Sequence, residues 1–168
     1  MKNQWLYKIL SALMIATLAV AALPVTPARA ATLVVTTSTD AVAVDGLCTL
    51  REAIVNANND AATNVDCPAG TGSDTITFDI AIASPTITLG SSLPAITDGD
   101  GLIIDGTNLN AAGGEVTLSG AGAFRISSIT LGATTFRDIT FLDGQVDGNG
   151  GAISNTGGSS LTIDNVKF

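Results

Sequence analysis

From Asp74 to Phe168 the chain is built of apolar–polar runs only three to five residues long, each closed off by Gly, Asn, Asp or Ser. The runs are Thr75-Ile76-Thr77-Phe78, Thr86-Ile87-Thr88-Leu89, Leu102-Ile103-Ile104, Glu115-Val116-Thr117-Leu118, Phe124-Arg125-Ile126, Ile139-Thr140-Phe141, Leu161-Thr162-Ile163 and Val166-Lys167-Phe168. Alternation with a period of two predicts strands, and the residues between them are turn formers. No helical periodicity interrupts this tract. Strands this short, joined by connections of uneven length, fit the circuits of a β-helix better than paired hairpin strands. Thr135-Phe136-Arg137-Asp138-Ile139-Thr140-Phe141 aligns with Thr162-Ile163-Asp164-Asn165-Val166-Lys167-Phe168 at a shift of 27 residues, and Ile76 and Ile103 share that spacing. One coil of three short strands and their turns has about this length. The expected class is all-β, a parallel β-helix; an antiparallel sandwich fits the same alternation.

Ahead of this tract lies one helical signal. Thr49 followed by Glu52 is a capping box, in which the hydroxyl accepts from the amide of residue 52 and the carboxylate from that of residue 49. Leu50, Ala53, Ile54 and Ala57 then form one apolar stripe, and Asn58-Asn59-Asp60 ends the helix after about 8 to 10 residues. A solenoid exposes its core at its ends and needs a cap. This amphipathic helix is the expected lid, with Ile54 facing the first apolar rung near Ile76 and Phe78. Ala31-Thr-Leu-Val-Val-Thr-Thr37, before it, reads as an opening strand.

Residues 1–30 are set apart as an export signal. Lys2 and Lys8 make a basic start, Ile9 to Leu23 an apolar run, and Ala28-Arg29-Ala30 a cleavage site. The run is shorter than the roughly 20 residues that span a bilayer. Cleavage would leave Ala31 as the mature N-terminus and only Arg51, Arg125, Arg137 and Lys167 against 15 acidic residues, a net charge of −11. Such a surface repels phosphate backbones, so no nucleic acid partner is expected. In an exported chain Cys48 and Cys67 predict a disulfide, with two free buried thiols as the alternative; histidine is absent, which disfavours zinc. The expected domains are the signal (1–30), an N-terminal cap (31–73) and coils (74–168). The chain stops on an apparent strand without a capping element, and it is expected to be a fragment of a longer protein.

Cys48-Thr49-Leu50-Arg51-Glu52-Ala53-Ile54 resembles the Cys-Ser-Leu-Arg-Glu-Ala signature at the N-terminus of exported bacterial repeat proteins, with Thr49 in place of Ser. The resemblance continues through Asn56-Ala57-Asn58, Cys67, Asp74 to Phe78, Leu93 to Thr97 and Ile104-Asp105-Gly106. Gly150-Gly151-Ala152-Ile153 is similar to the repeat element of polymorphic outer membrane proteins. It implies a right-handed parallel β-helix, like pectin lyases, on a secreted or surface-displayed, adhesin-like protein, whose partners would be extracellular carbohydrate or a cell-surface protein. It implies no reaction.

Chemistry has few candidates. β-Helix enzymes acting on acidic polysaccharides use calcium held by Asp with Arg or Lys as base, or paired carboxylates. The chain offers Asp98-Gly99-Asp100, Asp105, Asp138, Asp143, Asp147 and Asp164, with Arg125 and Arg137, almost all beside turn residues where Asp is favoured for its own hydrogen bonding. Asp98-Gly99-Asp100 and Asp147-Gly148-Asn149 are weak calcium candidates, and no cofactor is expected. Arg51 is expected to make a structural salt bridge or carbonyl contact. No catalytic residue is singled out; a polysaccharide lyase or glycosidase with its active site in further coils is the alternative to a binding role.

Overall fold

A computed structural model describes residues 29–80, 85–107 and 114–168, with Gln4 and Lys8. The expected export signal, residues 1–30, therefore lies almost wholly outside the described residues. Among those described, no helix is long and apolar enough to cross a membrane.

From residue 29 onward the described residues form, in order, β1 (Thr32–Val35), α1 (Leu50–Asn58), β2 (Asp74–Phe78), β3 (Thr86–Thr88), β4 (Leu102–Asp105), β5 (Val116–Ser119), β6 (Ser127–Ile129), β7 (Ala133–Arg137), β8 (Ile139–Leu142), β9 (Ile153–Asn155) and β10 (Ser160–Asp164). They form a five-stranded sheet β1-β2-β4-β7-β10, a three-stranded sheet β3-β5-β8 and a two-stranded sheet β6-β9. Every pairing among them is parallel. The antiparallel sandwich is thereby set aside for the described strands. From β4 onward the chain visits the three sheets in a fixed cycle: β4-β5-β6, then β7-β8-β9, then β10. A parallel bridge from Ile96 to Ile129 extends the cycle back to β2 and β3, and one from Thr140 to Lys167 carries it past β10.

Period-two alternation places the core. Leu33, Ile76, Ile104, Phe136 and Ile163 stand in register across the five-stranded sheet. Ile87, Leu118 and Phe141 do so across the three-stranded one. All but Ile163 are buried. Stacking like on like removes each side chain from water on two sides, worth about 1.5–3 kcal/mol per large residue in transfer terms. The Phe136 and Phe141 rings meet edge to face at 5.1 Å, and Phe141 stacks on Phe168 at 5.6 Å.

The 27-residue shift is the register of β7 with β10, where Thr135 pairs with Thr162 and Phe136 with Ile163. The second instance is off by one. Ile76 pairs with Ile104, and Ile103 with Thr75, a spacing of 28. Three further expectations shift. The run Phe124-Arg125-Ile126 does not form a strand, because Gly120 O accepts from Phe124 N at 2.9 Å and closes a turn with Ala121 and Gly122 at positive φ. The strand starts at Ser127 instead. Val166 to Phe168 contributes only the bridge at Lys167. Ala133–Arg137 and Ile153–Asn155 are strands beyond the runs picked out by alternation. β1 pairs with β2 along its whole length.

The helix spans nine residues and buries the stripe Leu50, Ala53, Ile54 and Ala57. It packs against β1 and β2. The outermost rung is therefore β1, with Leu33 and Val35, rather than the Ile76 strand. Ile54→Ala should cost about 2–5 kcal/mol, and the loss should stay near the helix, β1 and β2, because stability in stacked repeats is a sum of neighbour terms. Hydrogen exchange is the measurement: equal loss of protection at β7 and β8 would sink this reading.

Candidate functional site

Polar side chains and a disulfide fasten the helix to the segments around it. At its start, Thr49 Oγ1 accepts from Glu52 N at 3.2 Å, and Glu52 Oε2 accepts from Thr49 N at 3.0 Å, the reciprocal capping box. Both groups reach further: Thr49 Oγ1 donates to Ala41 O at 2.9 Å and Glu52 Oε1 accepts from Ala43 N at 3.0 Å. A local cap thus also orders the 41–43 loop. Cys48 and Cys67 are joined in a disulfide that ties the helix start to the loop behind it. Asn56, fully buried, holds the same loop by donating to Asn64 O and Pro68 O, both at 2.9 Å, and accepting from Asn64 N at 2.7 Å.

Arg51 and Asn58 face the next circuit. The Arg51 guanidinium forks onto Asp40, with Nε at 2.9 Å and Nη2 at 2.7 Å, and donates to the carbonyls of Ser91 and Ser92, both at 2.9 Å. Asp40 in turn accepts from Gly90 N at 2.9 Å. Arg51 makes both the salt bridge and the carbonyl contacts expected of it. Asn58 imitates a strand, donating to Ala95 O at 2.8 Å and accepting from Thr97 N at 2.8 Å. Asp40, Asn56 and Asn58 carried no sequence signal of these roles: Asp40 and Asn58 meet segments 37 to 50 residues away, and Asn56 meets an irregular loop 8 to 12 residues on.

The acidic candidates scatter. Arg137, on β7, bridges Asp105 of β4 at 3.1 Å and Asp164 of β10 at 3.0 Å. These two carboxylates hold its pKa above the ordinary value, the wrong direction for a base. Arg125 donates to the carbonyls of Gly150 at 2.9 Å and Asn149 at 2.7 Å. Asp138 accepts from Thr107 Oγ1 at 2.8 Å and from Asn165, and adopts a positive φ, as do Asp143 and Asn165. These are turn roles. Asp147 lies exposed in the 147–150 turn. Among the described residues, no three Asp, Glu or Cys side chains converge as a metal site.

Asp98 and Asp74 differ from the rest by being buried. Asp98 Oδ1 accepts from the amides of Asp100 at 2.9 Å and Gly101 at 3.2 Å. Asp74 accepts from Ala31 N and Thr71 N, both at 3.0 Å. Burial pushes both pKa values up, outweighing those amides, and Asp60 and their mutual neighbourhood of carboxylates add to the rise. Shut away from solvent, they present nothing to a polysaccharide.

No protein-family model matches the chain, and neither a curated protein nor a solved structure matches it.

Replacing the fork tests the fastening. Arg51→Lys keeps the charge but cannot serve Asp40 and two carbonyls with one ammonium, whereas Arg51→Ala strands the largely buried Asp40 carboxylate, a change that costs about 3–5 kcal/mol at fully buried pairs. Thr49→Ala should cost about 1 kcal/mol, and reduction of the disulfide up to about 3 kcal/mol in the chain-entropy account. Urea unfolding should rank them Arg51→Ala, then reduction, then Thr49→Ala; an Arg51→Ala midpoint equal to wild type would refute the fastening role.

Proposed function

We propose that the chain is the capped N-terminal part of a secreted or surface-displayed right-handed parallel β-helix with an adhesin-like, structural and binding role. The observation that carries this reading is the cyclic order of parallel strands through three sheets. Crossovers between parallel strands of one sheet are right-handed in about 98% of cases, which supports the hand of the coil. The helix fastened over β1, where the signature residues lie, supports membership of the exported repeat family that Cys48 to Ile54 resembles.

A binding role is favoured over catalysis by how the charged side chains are used. Arg137 and Arg125 are engaged by carboxylates and carbonyls, and the two buried carboxylates lie out of reach of a substrate. What remains outward on the five-stranded sheet is a column of Thr32, Thr75, Ile103, Thr135 and Thr162 in register. Two pairs of hydroxyls at the strand spacing of about 4.8 Å, Thr32 with Thr75 and Thr135 with Thr162, lie either side of Ile103 and offer donors and acceptors to an extended polar polymer such as an extracellular carbohydrate.

Two measurements test the proposal. Intact mass of exported material should give an N-terminus at Ala31, and cells displaying the protein should adhere to carbohydrate-coated surfaces better than cells without it. Release of reducing or unsaturated ends from a polysaccharide, abolished by Arg137→Gln, would establish the lyase alternative instead.

A further inference from the structure

The bond at which the sequence predicts cleavage, between Ala30 and Ala31, is also where the packed part of the chain begins. Arg29 and Ala30 are exposed, and Arg29 enters no ion pair among the described residues. Ala31 is half-buried against the core and held at both of its backbone groups. Its carbonyl accepts from Thr75 N at 2.9 Å, and its nitrogen donates to Asp74 Oδ1 at 3.0 Å. Ala31 thus prolongs the β1–β2 ladder by one residue and ends it on a carboxylate.

Asp74 is fully buried beneath the lid. Thr71 N donates to both of its oxygens, at 3.0 and 3.2 Å. Gly70 lies between it and α1, so close that a Cβ there would collide with Asn56 O and Asp74 Oδ2. The charges nearest to it are all carboxylates: Asp60 at the end of α1, with Asp98 and Asp100 in the 98–101 turn. The 70–73 loop, β1 and the 131–134 turn carry no charge, and β4 bears only Asp105, which is bound to Arg137.

The mature chain has no basic side chain left to answer these acids. Arg51 is engaged by Asp40, Arg137 by Asp105 and Asp164, Lys167 by Glu115, and Arg125 by the carbonyls of Asn149 and Gly150. In the uncut chain the donor to Asp74 is a neutral amide. On cleavage, water adds across the Ala30–Ala31 bond: Ala30 leaves with the signal as a carboxylate, and the Ala31 nitrogen is left as an ammonium.

We propose that the amino terminus created at Ala31 docks on Asp74 as an ion pair, so that removal of the signal itself tightens the joint between β1, the 70–74 loop and the lid. The inference rests on the cleavage put forward under the proposed function. Burying a carboxylate without a counter-charge is costly, and a charge-assisted hydrogen bond is about twice as strong as a neutral one. Position decides the gain: an ammonium one residue farther out, at the exposed Ala30, leaves Asp74 with the amide alone. The precursor therefore holds its first strand more loosely than the exported form. An amine that keeps its proton more tightly when folded adds stability that is fully present below its unfolded value of about 7.7–8.0 and lost as pH rises through the folded one.

Two chains released from a removable fusion, one beginning at Ala31 and one at Ala30, differ in where the ammonium stands. Urea unfolding at about pH 7 should give the Ala31 chain the smaller unfolding constant, by about tenfold. The gap should narrow above about pH 8. It should nearly vanish when both chains carry Asp74→Asn, which keeps an acceptor for Ala31 and Thr71 without the charge. The Ala31 methyl carbon senses ionisation of its own amine, and in the folded Ala31 chain it should titrate above about 8.0 by NMR; this reading needs no variant. Equal stability of the two chains, a gap undiminished by Asp74→Asn, or a methyl midpoint at or below about 8.0 would overturn the docking. An exported N-terminus other than Ala31, read by intact mass, would instead overturn the cleavage and the inference with it.

Discussion

A strand in a parallel stack has two neighbours or an unsatisfied edge, and everything at the N-terminal end of this molecule follows from how β1 meets that requirement. Its inner edge is paired along its length with β2. Among the described residues no further strand pairs with β1, and the chain sets the apolar stripe of an amphipathic helix against β1 and β2. The helix satisfies its own backbone internally and so adds no new edge, which is why a helix closes such a stack where another strand would only move the problem outward.

A nine-residue helix is marginal by itself in water. It is stable here because its ends and its polar face are all engaged. The capping box fixes the start, Asn59 donates back to Ala57 O at the end, and Arg51 and Asn58 grip backbone carbonyls and an amide of the 91–97 segment. Those contacts are made to main-chain atoms, so they specify position without asking for particular side chains in the partner segment. The helix and the 91–97 segment are thereby brought into contact: the second is where the first is anchored.

Much of this was legible in the chain because it is local. Capping boxes, apolar stripes and period-two alternation act within one element, so α1 and the centres of most strands were recoverable. The β7–β10 register was also legible, since repetition at 27 residues leaves similar side chains in line. Register between β2 and β4 was missed by one residue because Ile103 and Ile104 are both apolar, and only burial tells which faces inward: Ile104 is buried and Ile103 half-buried. Phe124 misled in the same way, its alternation overridden by a turn that Gly120 and Gly122 permit.

The buried acids were illegible for a different reason. Asp98 sits in Asp-Gly-Asp, a turn sequence like those of Asp105-Gly106 and Asp143-Gly144. Its backbone is covered by the next circuit at Gly132, as Gly106 and Gly144 are pressed against Asp138 and Gly151, but only Asp98 among these three aspartates has its own side chain buried. Asp143 and Asp147 are exposed, whereas Asp98 is buried. Stacking thus does more than bury apolar side chains. At Asp98 it also encloses a residue suited to local hydrogen bonding, and so places an ionisable group in low dielectric.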